Sequence, residues 1–267
     1  AELKKRQKSG EFVTNTGTKK RRFRRVESKI TAKGARAIFY RQFLEYKKEK
    51  YFIFTKMTVL SAVVAFIFAY SLQKSVSDSS MAGFILLGVV AYVALIMSGY
   101  TGKWESELKN PYIFLIPDSP LKKMWYATLM EHVKAFADGC IICIPIGIFW
   151  HVPVIEIIYC ILIYTVLQAD RLYTMVIVQS LLGEVFGKTG QSLLRMFIQM
   201  ALLGVGAGVG VLAAVLISQT LIFPIVLIYG LMITVAMGAI ALLRFDTMEQ
   251  FVSVSYTHLR AHETGRN

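Results

Sequence analysis

The stretch that decides the fold is Met196–Leu243, MFIQMALLGVGAGVGVLAAVLISQTLIFPIVLIYGLMITVAMGAIALL. It contains no Asp, Glu, Lys or Arg in 48 residues. A helix needs about 20 apolar residues to cross roughly 30 Å of hydrocarbon, so this run is long enough for two membrane spans. The polar residues Ser218, Gln219 and Thr220, followed by Pro224, mark the turn between them.

Similar apolar runs precede this stretch. Met81–Tyr100 has no charged residue in 20 positions, and His151-Val152-Pro153 separates two further runs. Apolar segments of this length are typical of lipid-facing helices rather than of one soluble core. We therefore predict an all-α, polytopic membrane helical bundle with an N-terminal interfacial helix. About six transmembrane helices are expected, at residues 51–72, 81–100, 135–150, 154–180, 196–217 and 222–243.

The first fifty residues are strongly basic, with 17 Lys and Arg against 5 acids. Residues 1–32 are polar and charged and are expected to form a disordered cytoplasmic tether or linker. Residues 33–50 show a helical period that favours an amphipathic interfacial helix, although a straight extension of the first span has the same pattern. Because the basic block adjoins a membrane span, we expect it to bind anionic lipid and not nucleic acid.

Lys and Arg counts also predict the orientation. Placing the N-terminus in the cytoplasm puts five further lysines, in residues 101–134, on the same side, whereas the outer turns then hold only Lys74. We therefore expect a multi-pass membrane protein with a cytoplasmic N-terminus, whose chain also leaves its last span on the cytoplasmic side.

The segment 101–134 is the polar stretch with the clearest structural pattern. Pro111, Pro117 and Pro120 bracket an apolar pentad, Tyr112–Ile116, that is too short to span a membrane. Ser119 followed by Pro120 predicts the start of a helix that leads into the third span. An apolar knuckle on the cytoplasmic face suits docking into a partner protein. A re-entrant or interfacial patch that lies on lipid is the alternative.

Motifs for chemistry are few. The glycines Gly204, Gly206, Gly208 and Gly210 lie within an uncharged span, where two GxxxG pairs favour close helix packing rather than phosphate binding. Cys140-Ile-Ile-Cys143 has no second CxxC or histidine, and with Gly139 and Gly147 it forms a stripe of small residues. The sequence has no GxxxxGK[ST] or HExxH motif, so we expect no metal, no cofactor and no enzymatic activity.

Intramembrane charges are the stronger indication of function, because they are costly in lipid unless paired or hydrated. Asp138 lies in the third span, and Asp170 and Arg171 lie in the fourth. Antiparallel packing of these two helices would bring Asp138 and Arg171 to a similar depth. We predict an ion pair between them, which is either structural or part of a substrate pathway.

The C-terminal residues 254–267, VSYTHLRAHETGRN, lack periodicity. They resemble translated sequencing-adapter read-through and are expected not to be native. Their His258, His262 and Glu263 are therefore left out of any site.

Two segments carry a resemblance to a known family. KNPYIFLIPDSPLKKMWYATLMEHVKAFADG, from Lys109, and KGARAIFYRQFLEYKKEKYF, from Lys33, resemble ABC exporter permeases found in Firmicutes. The similarity covers about residues 33–250. Such proteins are membrane subunits of type-2 ABC exporters, driven by a separate P-loop ATPase, so the resemblance implies a location in the bacterial plasma membrane. Family members are longer, so the chain is expected to be one membrane block of a larger permease.

The resemblance implies that the loop between spans two and three docks on the ATPase, and that a second permease half or a homodimer partner completes the pathway. The residues that it assigns to this ATPase-coupling loop are Trp104, Pro111, Tyr112, Ile113, Phe114, Leu115, Ile116, Pro117, Asp118, Lys122 and Lys123. A membrane scaffold or sensor with a lipid- or protein-binding basic head is the alternative function. A membrane-embedded enzyme would need more convergent polar residues than the three charges above.

Overall fold

The computed structural model describes residues 32–48, 52, 54, 56–73, 79–99, 103–108, 111–182 and 187–264, the last fifteen of them as backbone only. The predicted tether, apart from residue 32, lies outside this range. The described residues are almost entirely helical and contain no strand. The all-α prediction is confirmed.

Eight α-helices follow one another along the described chain, with short 3₁₀ turns at Pro111–Ile113 and Gln219–Leu221. We number them in chain order as α1 Arg36–Lys48, α2 Lys56–Leu72, α3 Ser79–Ser98, α4 Lys103–Leu108, α5 Pro120–Phe149, α6 Val154–Leu182, α7 Gly187–Leu216 and α8 Ile222–Thr264.

Five of these helices are long and apolar enough to cross a membrane, namely α3, α5, α6, α7 and α8. The apolar part of α2, Thr58–Leu72, is shorter, so the first predicted span, residues 51–72, is only partly represented in the described chain. Helix α5 begins at Pro120, where Ser119 and Pro120 predicted a helix start, and its 30 residues continue through the third predicted span to Phe149. At 1.5 Å per residue it is about 45 Å long, so it continues well beyond the hydrocarbon layer.

Helix α6 is the centre of the bundle. It packs against α3, α5, α7 and α8, and its apolar stretch is the most buried of the five candidate spans. Short turns join α5 to α6 and α7 to α8 at one end, which we call the far end. There the ring of Phe223 stacks on Phe84, with centroids 5.4 Å apart, and on Tyr159, at 6.3 Å.

The opposite end, which we call the loop end, holds α1, α4 and the segment 111–119. It has an apolar core of its own, the loop-end core, which joins these short elements to α5, α6 and α8. Its buried members are Ile38, Trp104, Leu108, Ile113, Phe114, Met124, Ala127, Leu172, Met175, Val176, Ile177, Ala241 and Phe245. The segment before the third span is therefore a packed layer of protein.

Small residues let α5 approach α6. A Cβ built on Gly139 would lie 3.2 Å from the Tyr164 ring, and one on Gly147 would overlap the Ile157 side chain. Cys143 lies between them, fully buried and with a free thiol. The stripe of small residues on α5 thus faces a neighbouring helix, as close packing requires.

The glycines of α7 divide into two faces. A Cβ on Gly206 would lie 3.0 Å from Tyr229, and one on Gly210 would lie 3.3 Å from Val226, so both glycines face α8. Built at Gly204 or Gly208, a Cβ would meet nothing within 4 Å. Of the two GxxxG pairs, only Gly206 and Gly210 contact another helix of the described chain.

Candidate docking site at the loop end and intramembrane charges

The apolar pentad forms a knuckle with two faces. Ile113 and Phe114 are buried in the loop-end core, whereas Tyr112 is 68% exposed and Leu115 is 48% exposed. Ile116 is partly buried against the same core. A partner protein can therefore reach Tyr112 and Leu115 but not the two residues between them, because those two anchor the knuckle to the bundle.

Lys123 fixes this knuckle to the last helix. Its Nζ donates a hydrogen bond to the Phe114 carbonyl oxygen at 3.2 Å and forms an ion pair with Glu249 Oε1 at 2.7 Å. The lysine side chain is only 1% exposed. The Lys123 side chain therefore points into the protein and offers no direct contact to a partner; its place in an ATPase-coupling loop stays a prediction. The adjacent Lys122 is exposed and lies 3.5 Å from Asp118.

Asp118 joins the knuckle to α1. Its Oδ2 accepts a hydrogen bond from the Ala35 N–H at 3.1 Å, and its Oδ1 accepts one from the Ser119 N–H at 3.0 Å. These two donors lower the pKa of the Asp118 carboxyl below its usual value, because they favour the charged form. Ser119 is the N-cap of α5 and Pro120 is its first residue, as predicted, although the serine side chain makes no capping hydrogen bond.

The six-residue helix α4 is tied to three other helices. Trp104 Nε1 donates to the Leu172 carbonyl oxygen of α6 at 3.2 Å. Glu105 forms a buried ion pair with Arg195 of α7 at 3.3 Å, and Glu107 forms a partly buried ion pair with Arg41 of α1. Trp104 is fully buried, so it supports this segment from within the protein, and its assignment to the ATPase-coupling loop stays a prediction.

The sequence pattern did not identify these acids as ion-pair partners, because it shows only the residues next to each of them. Glu105 and Glu107 alternate with apolar or small residues in KWESEL, a pattern that does not reveal partners 90 and 66 positions away. Arg195 offered one signal, since it is the last charge before the 48-residue uncharged run.

Helix α1 lies on protein along one face. Ile38, Gln42 and Tyr46 are buried on this face, and α1 packs against α5, where the Tyr46 hydroxyl donates to Glu131 at 3.2 Å. Phe39 and Phe43 stack on each other at 6.2 Å and stay partly exposed. The helix therefore has a protein-facing stripe next to an aromatic one, where the sequence predicted a single apolar arc.

An open groove runs between α1 and the start of α5. It has a volume of about 810 Å³ and is lined by cations and aromatic rings. The residues that line it include Lys33, Arg36, Tyr40, Lys122 and Trp125. Arg36 is held in place by a hydrogen bond from its Nε to the Tyr126 hydroxyl at 3.1 Å.

Asp138 and Arg171 lie close together but do not form the predicted ion pair. They share a small cavity of about 20 Å³ with Lys134 and Gln168. Asp138 Oδ2 lies 4.0 Å from Lys134 Nζ, one turn away on the same helix, whereas Arg171 Nη1 donates to the Met97 carbonyl oxygen at 3.1 Å. The two charges are at a similar depth, but the rotation of each helix gives both of them other partners.

Asp170 faces a different space from its neighbour Arg171. It lines an apolar cavity between α3, α6, α7 and α8 and is 1% exposed. Within the described chain, no group of three or more His, Cys, Asp or Glu side chains is placed to hold a metal ion.

A family model described as "Putative ABC exporter" matches residues 1–249, nearly the whole chain. The chain belongs to this family. As an ABC exporter family member with several apolar spanning helices, it is a multi-pass membrane protein of the transporter class. Comparison with curated proteins and with solved structures gave no significant match. The family match includes the knuckle, α4 and the partners of both, and it ends at Glu249.

Proposed function

We propose that this protein is the membrane-spanning subunit of an ABC-type exporter, with its loop end in the cytoplasm, where a separate P-loop ATPase docks. Family membership supports the transporter class, and the concentration of Lys and Arg in residues 1–50 and 101–134 supports the orientation. One structural observation carries the docking proposal: Tyr112 and Leu115 are exposed on a knuckle whose other residues are buried or tied to neighbouring helices.

The contacts of the loop end suggest how a push on the knuckle would reach the membrane helices. Phe114 packs against Phe245 of α8, with ring centroids 5.1 Å apart, and Lys123 ties the same turn to Glu249. Close by, α4 contacts α6 through Trp104 and α7 through Glu105. Closure of an ATPase dimer would move these rigidly joined elements together and shift the bundle between two arrangements.

The neighbouring groove supports two further contacts. Lys122 and Asp118 border both the groove and the knuckle, so the ATPase surface can extend over them. Lys33, Arg36, Tyr40 and Trp125 form a mixed cationic and aromatic surface of the kind found at lipid headgroups. Anionic lipid at this level would hold α1 and the basic segment before it against the membrane.

The exposed faces of α7 and α8 suit a second permease half or a second copy of the chain. Only 22% of the apolar window of α7 and 6% of that of α8 are buried within the bundle. Lipid also covers such faces. We assign the second permease half or second copy to the exposed faces of α7 and α8, because these two helices contribute most of the residues that line the apolar cavity beside Asp170.

A crosslinking experiment tests the docking proposal. A photoreactive phenylalanine analogue replaces Tyr112 in the full chain, expressed in its source cells, and crosslinked partners are identified by mass spectrometry. The matched control carries the analogue at Val154, which is 72% exposed at the far end. We expect a P-loop ATPase to crosslink to position 112 and not to position 154.

A paired substitution gives the second measurement. Tyr112→Ala with Leu115→Ala should release the ATPase on purification. The pair should lower the thermal unfolding midpoint of the membrane protein by no more than about 4 °C, because substitutions of exposed side chains typically change stability by about 0.5 kcal/mol each. Val154→Ala with Ile155→Ala, which are similarly exposed, should retain the ATPase. Retention by both pairs, or crosslinks to no ATPase at either position, would favour the scaffold function instead.

A further inference from the structure

The apolar cavity in the bundle contains a single charged residue. Its volume is about 340 Å³, near the lower end of the roughly 300–1,000 Å³ that small-molecule pockets cover. Twenty-one described residues line it, and Asp170 is the only one of them with an acidic or basic side chain that is charged at neutral pH. Most of the others are aliphatic, so the cavity is a lipid-like space with one acid in its wall.

Asp170 lies at the deep end of this cavity. It is sixteen residues from Val154, where α6 begins at the far end, or about 24 Å along the helix. In the other three helices, every lining residue lies fewer than sixteen residues from the far end of its own helix. The lining residues most distant from the far end are Ala91 in α3, Leu202 in α7 and Ile233 in α8. The cavity thus extends from the far end of the bundle toward the Asp170 carboxylate at its deep end.

The carboxylate has unused hydrogen-bonding capacity. Asp170 Oδ1 is buried and has no hydrogen-bond partner. The Thr234 hydroxyl of α8 lies near this side chain, but it donates its one proton to the Gly230 carbonyl oxygen at 2.8 Å. Tyr229, the other polar group of the wall, donates its hydroxyl to the Leu202 carbonyl oxygen at 3.1 Å. A buried acceptor without a donor is costly, and an N–H group on an occupant would satisfy it.

Glycines create much of the space. Gly88, Gly206, Gly210 and Gly230 all line the cavity. A Cβ built on Gly88 would meet nothing within 4 Å, so a side chain at this position would extend into open space. Gly206 and Gly230 instead allow close helix contact, with Tyr229 and Val166 each 3.0 Å from the built Cβ.

We propose that this cavity binds a lipophilic amine, an apolar molecule with one protonated nitrogen that donates a hydrogen bond to Asp170. The apolar walls bury the hydrocarbon part, and the carboxylate pairs with the cation in a site without bulk water, where such pairs are strong. Arg171, the adjacent cation, directs Nη1 to the Met97 carbonyl oxygen, so it leaves the carboxylate to the occupant. The role of this molecule as cargo rests on the proposed export function; its binding does not.

Binding to the purified full-length protein in nanodiscs of neutral lipid tests the proposal. The probe is radiolabelled 4-phenylbutylamine, which is protonated at neutral pH, and its uncharged analogue is 4-phenylbutanol. We expect saturable binding of the amine to the wild type, at least tenfold weaker binding to Asp170→Asn, and weak binding of the alcohol to both. Glu156→Gln is the matched control, since this far-end acid does not line the cavity, and it should bind the amine as the wild type does.

A second variant tests the role of the cavity without changing Asp170. Gly88→Leu places its Cβ in open space, so the side chain should occupy part of the cavity and weaken amine binding at least tenfold while Asp170 remains. Equal binding of the amine to wild type and Asp170→Asn, equal binding of amine and alcohol to the wild type, or unchanged binding to Gly88→Leu would overturn the proposal. If amine binding holds while no ATPase crosslinks at position 112, the site stands and the export function fails.

Discussion

Replacing Lys123 by methionine should destabilise the protein far more than the same change at the adjacent Lys122. Methionine preserves most of the side-chain volume, but it removes the hydrogen bond to the Phe114 carbonyl oxygen and the ion pair with Glu249. Breaking a fully buried pair costs about 3–5 kcal/mol, and an orphaned buried acceptor costs about 1–3 kcal/mol. Glu249 is 24% exposed, so water offsets part of this loss. We therefore expect the free energy of unfolding to fall by about 2–4 kcal/mol.

Thermal unfolding of the detergent-solubilised protein measures this effect. For a chain of this size, 1 kcal/mol corresponds to a shift of about 2–4 °C, so Lys123→Met should lower the midpoint by roughly 5–15 °C. Lys122 is 65% exposed and pairs only with Asp118 across 3.5 Å. Exposed pairs contribute about 0–1 kcal/mol, so Lys122→Met should shift the midpoint by less than about 3 °C.

A double-mutant cycle checks that the loss comes from the ion pair. Glu249→Gln leaves Lys123 buried without its counter-charge and should cost at least as much as Lys123→Met. The double variant should be more stable than the sum of the single losses predicts, by about 1–3 kcal/mol, because neither charge is then buried alone. Equal effects of Lys122→Met and Lys123→Met, or strictly additive losses in the cycle, would refute the assignment.

Three further predictions concern packing, hydrogen bonding and pH. Gly147→Ala should cost about 1–3 kcal/mol, because its Cβ would overlap Ile157, whereas Gly204→Ala, with open space around it, should unfold at the wild-type midpoint. Trp104→Phe should cost about 1 kcal/mol through loss of the hydrogen bond to Leu172, and chemical unfolding that leaves this variant unchanged would contradict the buried position of the indole. The lowered pKa of Asp118 means that its contribution is fully present above the ordinary carboxyl pKa of about 3.9 and is lost as pH falls through the lower folded value. Cleavage of the α1 region by an acid-active protease should therefore accelerate below about pH 4 in the wild type, and Asp118→Asn should remove this pH dependence.

Sequence patterns predicted the helices well because length and composition decide whether a segment can cross lipid. The contacts of each helix were less predictable. Ser119 and Pro120 predicted the start of α5, but the sequence did not show what the polar turns before the third span pack against. The first four turns of α5 carry Lys and Glu residues whose burial depends on packing against α1 and α8, and neither partner is visible in the local pattern.

The candidate sites show the same limit at the level of single residues. Lys122 and Lys123 are adjacent in the sequence, and the rotation of α5 directs only Lys123 toward Phe114 and toward Glu249, 126 residues later. The depth of Asp138 and Arg171 followed from counting residues along antiparallel helices, but their partners depend on how each helix is rotated about its axis. Asp170 could be singled out as an intramembrane acid, yet its cavity is formed by four helices and has no signature in any one of them.

The tie between Lys123 and Glu249 has a consequence for biosynthesis. The lysine is made 126 residues before its counter-charge, so α5 enters the membrane while the partner of Lys123 has not yet been synthesised. During that interval the lysine has to remain hydrated at the membrane surface, and the knuckle cannot close over it. Completion of α8 therefore sets the moment at which the loop end assembles, and a chain that stops before residue 249 would present an unfinished surface to the cell's quality-control proteases.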